Sequence, residues 1–83
     1  MRARVFVTLK RDVLDPQGAA VQRALESMGM QGVKDVRIGK VVDLELDGVA
    51  SELAPRLDEV ARKLLSNGVI EDYRVTFPDA AER

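Results

Sequence analysis

The chain has 83 residues, contains no cysteine, no histidine and no tryptophan, and sets thirteen Lys and Arg against fourteen Asp and Glu for a net charge of −1. That length is one small domain, and the missing residue types exclude a disulfide framework, a thiolate nucleophile and the commonest general base and transition-metal ligand. With no basic excess and no apolar run near the roughly 18 residues of a membrane span, the expectation is a cytoplasmic protein with no nucleic-acid or membrane partner.

Arg2 to Lys10 alternates. Ala3, Val5, Val7 and Leu9 fall on one face and Arg4, Phe6, Thr8 and Lys10 on the other, the period of a half-buried strand that follows Met1 directly, with no signal-peptide pattern. Phe6 is the apolar exception on the polar face and is a candidate contact to another subunit. Asp15-Pro16-Gln17-Gly18 then opens a helix, Asp as N-cap and Pro at the first helical position, where no N–H is needed. Val21, Ala24, Leu25 and Met28 follow at helical spacing and Gly29 supplies the stop, so the helix runs Pro16 to Met28.

Asp35 to Asp47 keeps one parity throughout. Val36, Ile38, Val42, Leu44 and Leu46 share a face, and Arg37, Asp43, Glu45 and Asp47 share the other. A two-residue turn at Gly39-Lys40 would scramble that core set, and a three-residue turn would ask Val41 to approach a left-handed conformation. One continuous strand, bent at Gly39, is therefore expected. Its thirteen residues span roughly 40 Å at about 3.3 Å each, more than the ~30 Å diameter of so small a domain, so the overhang calls for an intersubunit sheet.

Ala50 to Leu65 is the second helix, with Leu53, Leu57, Val60, Ala61, Leu64 and Leu65 on its core face. Pro55 argues for a start between Ser51 and Ala54, and Asn67-Gly68 offers a left-handed stop. Tyr73, Val75 and Phe77 alternate as a last short strand ended by Pro78, giving a single domain over 1–78 and a flexible tail over 79–83. The order is strand, helix, long strand, helix, strand. That is an α+β two-layer sandwich related to the ferredoxin-like pattern, with two helices on one face of a mainly antiparallel sheet.

Three patterns could carry chemistry. Asp43, Glu45, Asp47 and Gly48 begin like an EF-hand loop, but the twelfth position is Ala54, and a solvated strand face is the better reading. Gly39-Lys40 lacks the upstream glycine and following Ser or Thr of a phosphate loop. Backbone N–H groups at Asp15 to Gly18 could receive an anion, though Asp15 capping its own helix fills that place. No catalytic, cofactor-binding or metal-ligating residue is assigned.

Val7-Thr8-Leu9-Lys10, then Val13-Leu14-Asp15-Pro16-Gln17-Gly18 with Val21 and Ala24-Leu25, resembles the N-terminal signature of the PurS subunit of phosphoribosylformylglycinamidine synthase. Val36-Arg37-Ile38-Gly39-Lys40 is similar to that family's central strand, and Leu64-Leu65-Ser66-Asn67-Gly68-Val69-Ile70-Glu71-Asp72-Tyr73 to its closing helix, turn and strand. The resemblance implies a small homo-oligomer, a dimer or dimer of dimers, that bridges a glutaminase subunit (PurQ) and an ATP-dependent synthetase subunit (PurL) in the fourth step of de novo purine synthesis. Glutamine supplies ammonia, which displaces phosphate from an activated amide. The resemblance also implies no cofactor on this chain, with ATP and Mg on the synthetase partner. Arg37, Gly39 and Lys40 on the long strand, Asp15, Pro16, Gln17 and Gly18 at the helix start, and Phe6 are the expected partner or oligomer contacts. The alternative is an amino-acid-binding regulatory module of the ACT type, for which Asp15 to Gly18 would have to act as the ligand loop.

Overall fold

The computed structural model describes residues 1–78; the tail expected over 79–83 lies outside the described residues. Three strands, β1 (Arg2–Leu9), β2 (Gly39–Glu45) and β3 (Glu71–Thr76), form one antiparallel sheet in the order β2-β1-β3. Two helices, α1 (Pro16–Ser27) and α2 (Ala50–Val60), complete an α+β fold.

The alternation of β1 sets the sheet's two faces. Ala3, Val5 and Val7 are wholly buried, with Val5 between Val42 and Val75 and Val7 beside Tyr73. Ala61, in the turn that continues α2, joins Val5 and Val7 in one buried cluster, around which Val42, Leu44, Leu65, Tyr73 and Val75 pack half-buried; Leu57 of α2 is buried too. The outer face is a ladder of cross-strand ion pairs. Arg2 Nε donates to Glu45 Oε1 at 3.2 Å, Arg4 Nε to Asp43 Oδ1 at 2.8 Å and Lys10 Nζ to Asp72 Oδ1 at 2.7 Å. Exposed pairs of this kind fix register more than they add stability.

β2 covers seven residues, Gly39–Glu45, and not the thirteen expected from Asp35 to Asp47; no turn stands at Gly39-Lys40 either, so the hairpin alternative also fails. Its pairing begins at Thr8↔Gly39, however, and residues 35–38 have no partner strand within the chain. They are drawn instead toward the start of α1. α2 begins at Ala50, earlier than expected, with Pro55 inside it. The N–H that proline lacks would have served the Ser51 carbonyl, and Ser51 is exposed to water, so the early start is tolerated. The stop expected at Asn67-Gly68 also differs. Neither residue has positive φ; the last turn, Ala61–Leu65, widens so that the Ser66 N–H and Oγ both donate to the Ala61 carbonyl, at 2.9 and 2.8 Å. Asn67 Oδ1 then accepts from the Val69 N–H at 3.1 Å. A side-chain turn here replaces left-handed backbone. Gly29, at φ 90°, stops α1 as its position predicts.

Within one chain α2 is the helix that covers the sheet. α1 buries only Gly18, and Met28 on its apolar stripe is 83% exposed. The radius of gyration is 16.0 Å, with extents of 47 × 31 × 15 Å, against about 12 Å for a compact chain of this length.

Candidate functional site

The sequence elements singled out above converge on the junction of α1, β1 and β2. Asp15 stands at its centre and is almost wholly buried. Its Oδ1 accepts from the Gly18 N–H at 2.9 Å, capping α1, and its Oδ2 accepts from the Ile38 N–H at 2.7 Å. The Ile38 and Gly18 donors, in that order, hold the carboxyl below its ordinary 3.8; the Arg37 charge adds to this and burial opposes it. One side chain thus starts a helix and fastens the segment that leads into β2.

Gly18 and Arg37 complete that clasp. A Cβ on Gly18 would lie 2.0 Å from the Val36 carbonyl oxygen, so only glycine lets the segment pass this close. Arg37 donates through Nη1 to the Val13 carbonyl at 2.6 Å and through Nη2 to the Arg11 carbonyl at 2.8 Å, with Asp35 Oδ2 3.6 Å from its Nε. The fork closes off the loop between β1 and α1. Gln22 Nε2 adds a bond to the Val33 carbonyl at 3.0 Å.

Beside the clasp, Asp15, Pro16, Gln17, Gly39 and Lys40 line an open cleft of ≈ 440 Å³ together with Val7, Leu9, Ile38 and Glu71. Gly39 is held tightly, because a Cβ there would meet the Val7 carbonyl oxygen at 2.6 Å. The Lys40 side chain makes no hydrogen bond or ion pair among the described residues. Phe6 does not join this group. It lies on the opposite face of the sheet, between Val41 and Arg74, with the Arg74 guanidinium 4.5 Å from its ring centroid. The parity of β3 places Arg74 on the same outer face as Phe6, so that stack was open to sequence reasoning. Glu71 and Val7 as cleft walls were not, since only the sheet order brings them there.

Three further polar groups of the sheet and α2 are paired as well. The Arg4 bond holds the Asp43 carboxyl below its ordinary range. The Tyr73 hydroxyl donates to Asp58 Oδ1 at 2.7 Å, tying β3 to α2, and that bond pushes the phenol up from its usual value. Asp43 and Glu45, the first two acids of the EF-hand-like run, are paired with Arg4 and Arg2 across the strands. No group of three or more acidic side chains placed to hold a metal occurs among the described residues, and none of their helices is long and apolar enough to cross a membrane.

Fold and site together define a class: a small α+β protein in which several charged side chains, Asp15, Arg37, Arg2, Arg4 and Lys10 among them, fix its own backbone and strand register. The family is more specific. The chain belongs to the PurS family, described as phosphoribosylformylglycinamidine (FGAM) synthase, whose model matches residues 2–79, and with it to a ligase complex of several subunits. The PurS subunit of that synthase from Bacillus subtilis (strain 168) is 51% identical over 73 residues, covering 88% of this chain and 87% of the relative. A solved structure of B. subtilis PurS superposes with a TM-score of 0.79 at 49% identity, covering 90% and 94% of the two chains. A chain of the PurLQS structure from Thermotoga maritima gives a TM-score of 0.81 at 28% identity, over 90% and 93%.

Proposed function

We propose that this chain works in the cytoplasm as a homo-oligomeric bridging subunit of FGAM synthase, holding a glutaminase (PurQ) and a synthetase (PurL) at fixed separation while ammonia passes between them. The observation that carries the reading is the likeness, over nine-tenths of the chain, to a subunit of the T. maritima PurLQS assembly. Physical chemistry supports it. Ammonia released into water is protonated and loses its nucleophilic lone pair, so its path must be walled from solvent by rigid surfaces. A sheet with fixed register, its charges locked in cross-strand pairs, provides such walls without a reacting group of its own.

ATP and Mg belong, in this reading, to the synthetase partner. The ACT-type alternative has less support, because the Asp15 carboxylate is already doubly engaged and Gly18 is packed against Val36.

Reconstitution tests the proposal. Mixed with glutaminase and synthetase subunits, the chain should be required for glutamine-supported amidine formation and dispensable for ammonia-supported turnover. Equal dependence of both, or of neither, would overturn the bridging role. Lys40 is the better probe of the partner surface, because Arg37 is occupied by the Val13 and Arg11 carbonyls. Lys40→Glu should weaken co-purification with one partner while leaving thermal unfolding of the isolated chain unchanged.

A further inference from the structure

Asn67 is the chain's one asparagine, and a glycine follows it. The fold makes this residue the hub of the loop that leads into β3. The Asn67 N–H donates to Glu71 Oε1 at 2.7 Å, and the Asn67 carbonyl accepts from the Ile70 and Glu71 N–H groups at 3.1 and 2.7 Å. Its side-chain Oδ1 accepts from the Val69 N–H at 3.1 Å. The Lys10 N–H donates to the Ile70 carbonyl at 2.8 Å, so the same loop is joined to the end of β1.

Two groups at this hub are left unheld. Among the described residues the Gly68 N–H donates to nothing, and neither does Asn67 Nδ2. Asn67, Gly68 and Val69 are all exposed to water. The bond from Val69 closes a ring of atoms around the Gly68 nitrogen, which keeps the side-chain carbonyl carbon, Cγ, beside that nitrogen. The same N–H is placed to stabilise the oxyanion that forms when Cγ is attacked. Glycine leaves the approach open, with nothing within 4 Å of where a Cβ would stand. Gln17-Gly18 has no such freedom, because the Gly18 N–H already donates to Asp15 Oδ1 at 2.9 Å.

We infer that Asn67 is a site of spontaneous deamidation and isomerisation, a modification that consumes only water. The Gly68 nitrogen gives up its proton and bonds to Cγ; the Cγ–Nδ2 bond breaks, and the amide leaves as ammonia with that proton. Water then opens the resulting succinimide. Attack at Cγ gives aspartate, and attack at the Asn67 main-chain carbonyl gives isoaspartate. No electrons are transferred, and the net charge of −1 becomes −2 by the one carboxylate gained. Aspartate keeps the acceptor for Val69 but sets a second carboxylate beside Glu71. Isoaspartate does more. The main chain then runs through Cγ, and the carbonyl that held the Ile70 and Glu71 N–H groups becomes a pendant carboxylate. The start of β3, where Glu71 pairs with Leu9, loses its anchor. The inference goes beyond the subunit reading and does not depend on it.

Trypsin isolates the site, because residues 64–74 form one peptide with no other side-chain amide. The full chain is aged in mildly alkaline buffer beside the free 64–74 peptide, which sets the rate without a fold. The expected result is a progressive mass shift of one amide-to-acid conversion in that peptide, at a rate comparable with the free peptide. The isoaspartyl product, detected by methyl transfer from an isoaspartyl methyltransferase, should exceed the aspartyl one. Gly68→Ala should unfold at the parent's temperature, since φ there is not positive and the space is empty, and should convert more slowly. An Asn67 that stays intact while the free peptide converts would overturn the inference, as would an undiminished rate in the Gly68→Ala chain. The purified isoaspartyl chain should exchange its Lys10 and Glu71 amides faster and unfold at a lower temperature. Unchanged exchange at both would overturn the effect on β3.

Discussion

Gly18 shows how one hydrogen atom can decide a local structure. In an exposed helix, replacing glycine by alanine stabilises by about 0.5–1 kcal/mol. Here the added carbon would stand 2.0 Å from a backbone oxygen of Val36, and neither backbone can rotate away. Overpacking of that kind costs about 1–3 kcal/mol, so the clash wins. Gly18→Ala should lower the urea midpoint and loosen the segment before β2, seen as faster amide exchange at Ile38. Asp15 makes a prediction in pH. Its folded carboxyl sits below 3.8, so the folded state prefers the ionised form and the unfolded chain takes up the proton first as pH falls. Its contribution is complete above about pH 5 and is lost as pH drops through the lowered folded value. Asp15→Asn keeps an acceptor at the cap but removes that charge. Urea denaturation between about pH 5 and pH 2 should therefore show a shallower loss of stability in the variant than in the wild type. The cap was legible in Asp15-Pro16 because capping is local. The clash at Gly18 was not, because Val36 arrives from a different part of the chain.

Among the elements, β1 follows its sequence most closely. Its alternation becomes the buried row Ala3, Val5 and Val7 and the outer row of Arg2, Arg4 and Phe6, because a strand paired on both edges has no freedom to turn its faces. α2 follows its sequence less well. Pro55 looks like a boundary when the residue is considered alone, yet the helix starts a turn earlier, since apolar Leu53 and Leu57 reward the extra turn. Pro55→Ala would restore the N–H to the Ser51 carbonyl and should stabilise the fold by up to about 3 kcal/mol. Chemical denaturation monitored by far-UV circular dichroism measures it. An unchanged midpoint would mean that the proline's restriction of the unfolded chain offsets the missing bond.

At the scale of the molecule, the small core governs behaviour. Among the described residues five apolar side chains are buried, from β1 and the α2 helix with its last turn, and these are few for a domain that must offset the conformational entropy of its whole chain. Stability should therefore come partly from association. The thermal midpoint is expected to rise with protein concentration, as mass action requires when folding and assembly are coupled, and calorimetry across a hundredfold concentration range reads it. A concentration-independent midpoint together with a monomer in sedimentation would remove association from the account.

The sequence alone determined what depends on neighbours in the chain: the strand of β1, the capped start of α1, the unbroken parity through Gly39, and the residue types available for chemistry. These are set by backbone geometry and side-chain periodicity over a few residues. The ordered motifs from Val7 to Tyr73 also carried the resemblance to the PurS family, which the family model then showed over residues 2–79. Only the tertiary structure decided where the long strand stops pairing, that Arg37 is an internal tie, that Phe6 stacks under Arg74 on the far face, and that α1 stands off its own sheet. Each of these depends on which distant segment arrives at a given point in space. That choice is made by competition among contacts, here the Asp15 clasp against continued pairing along β1, and no local pattern records which one wins.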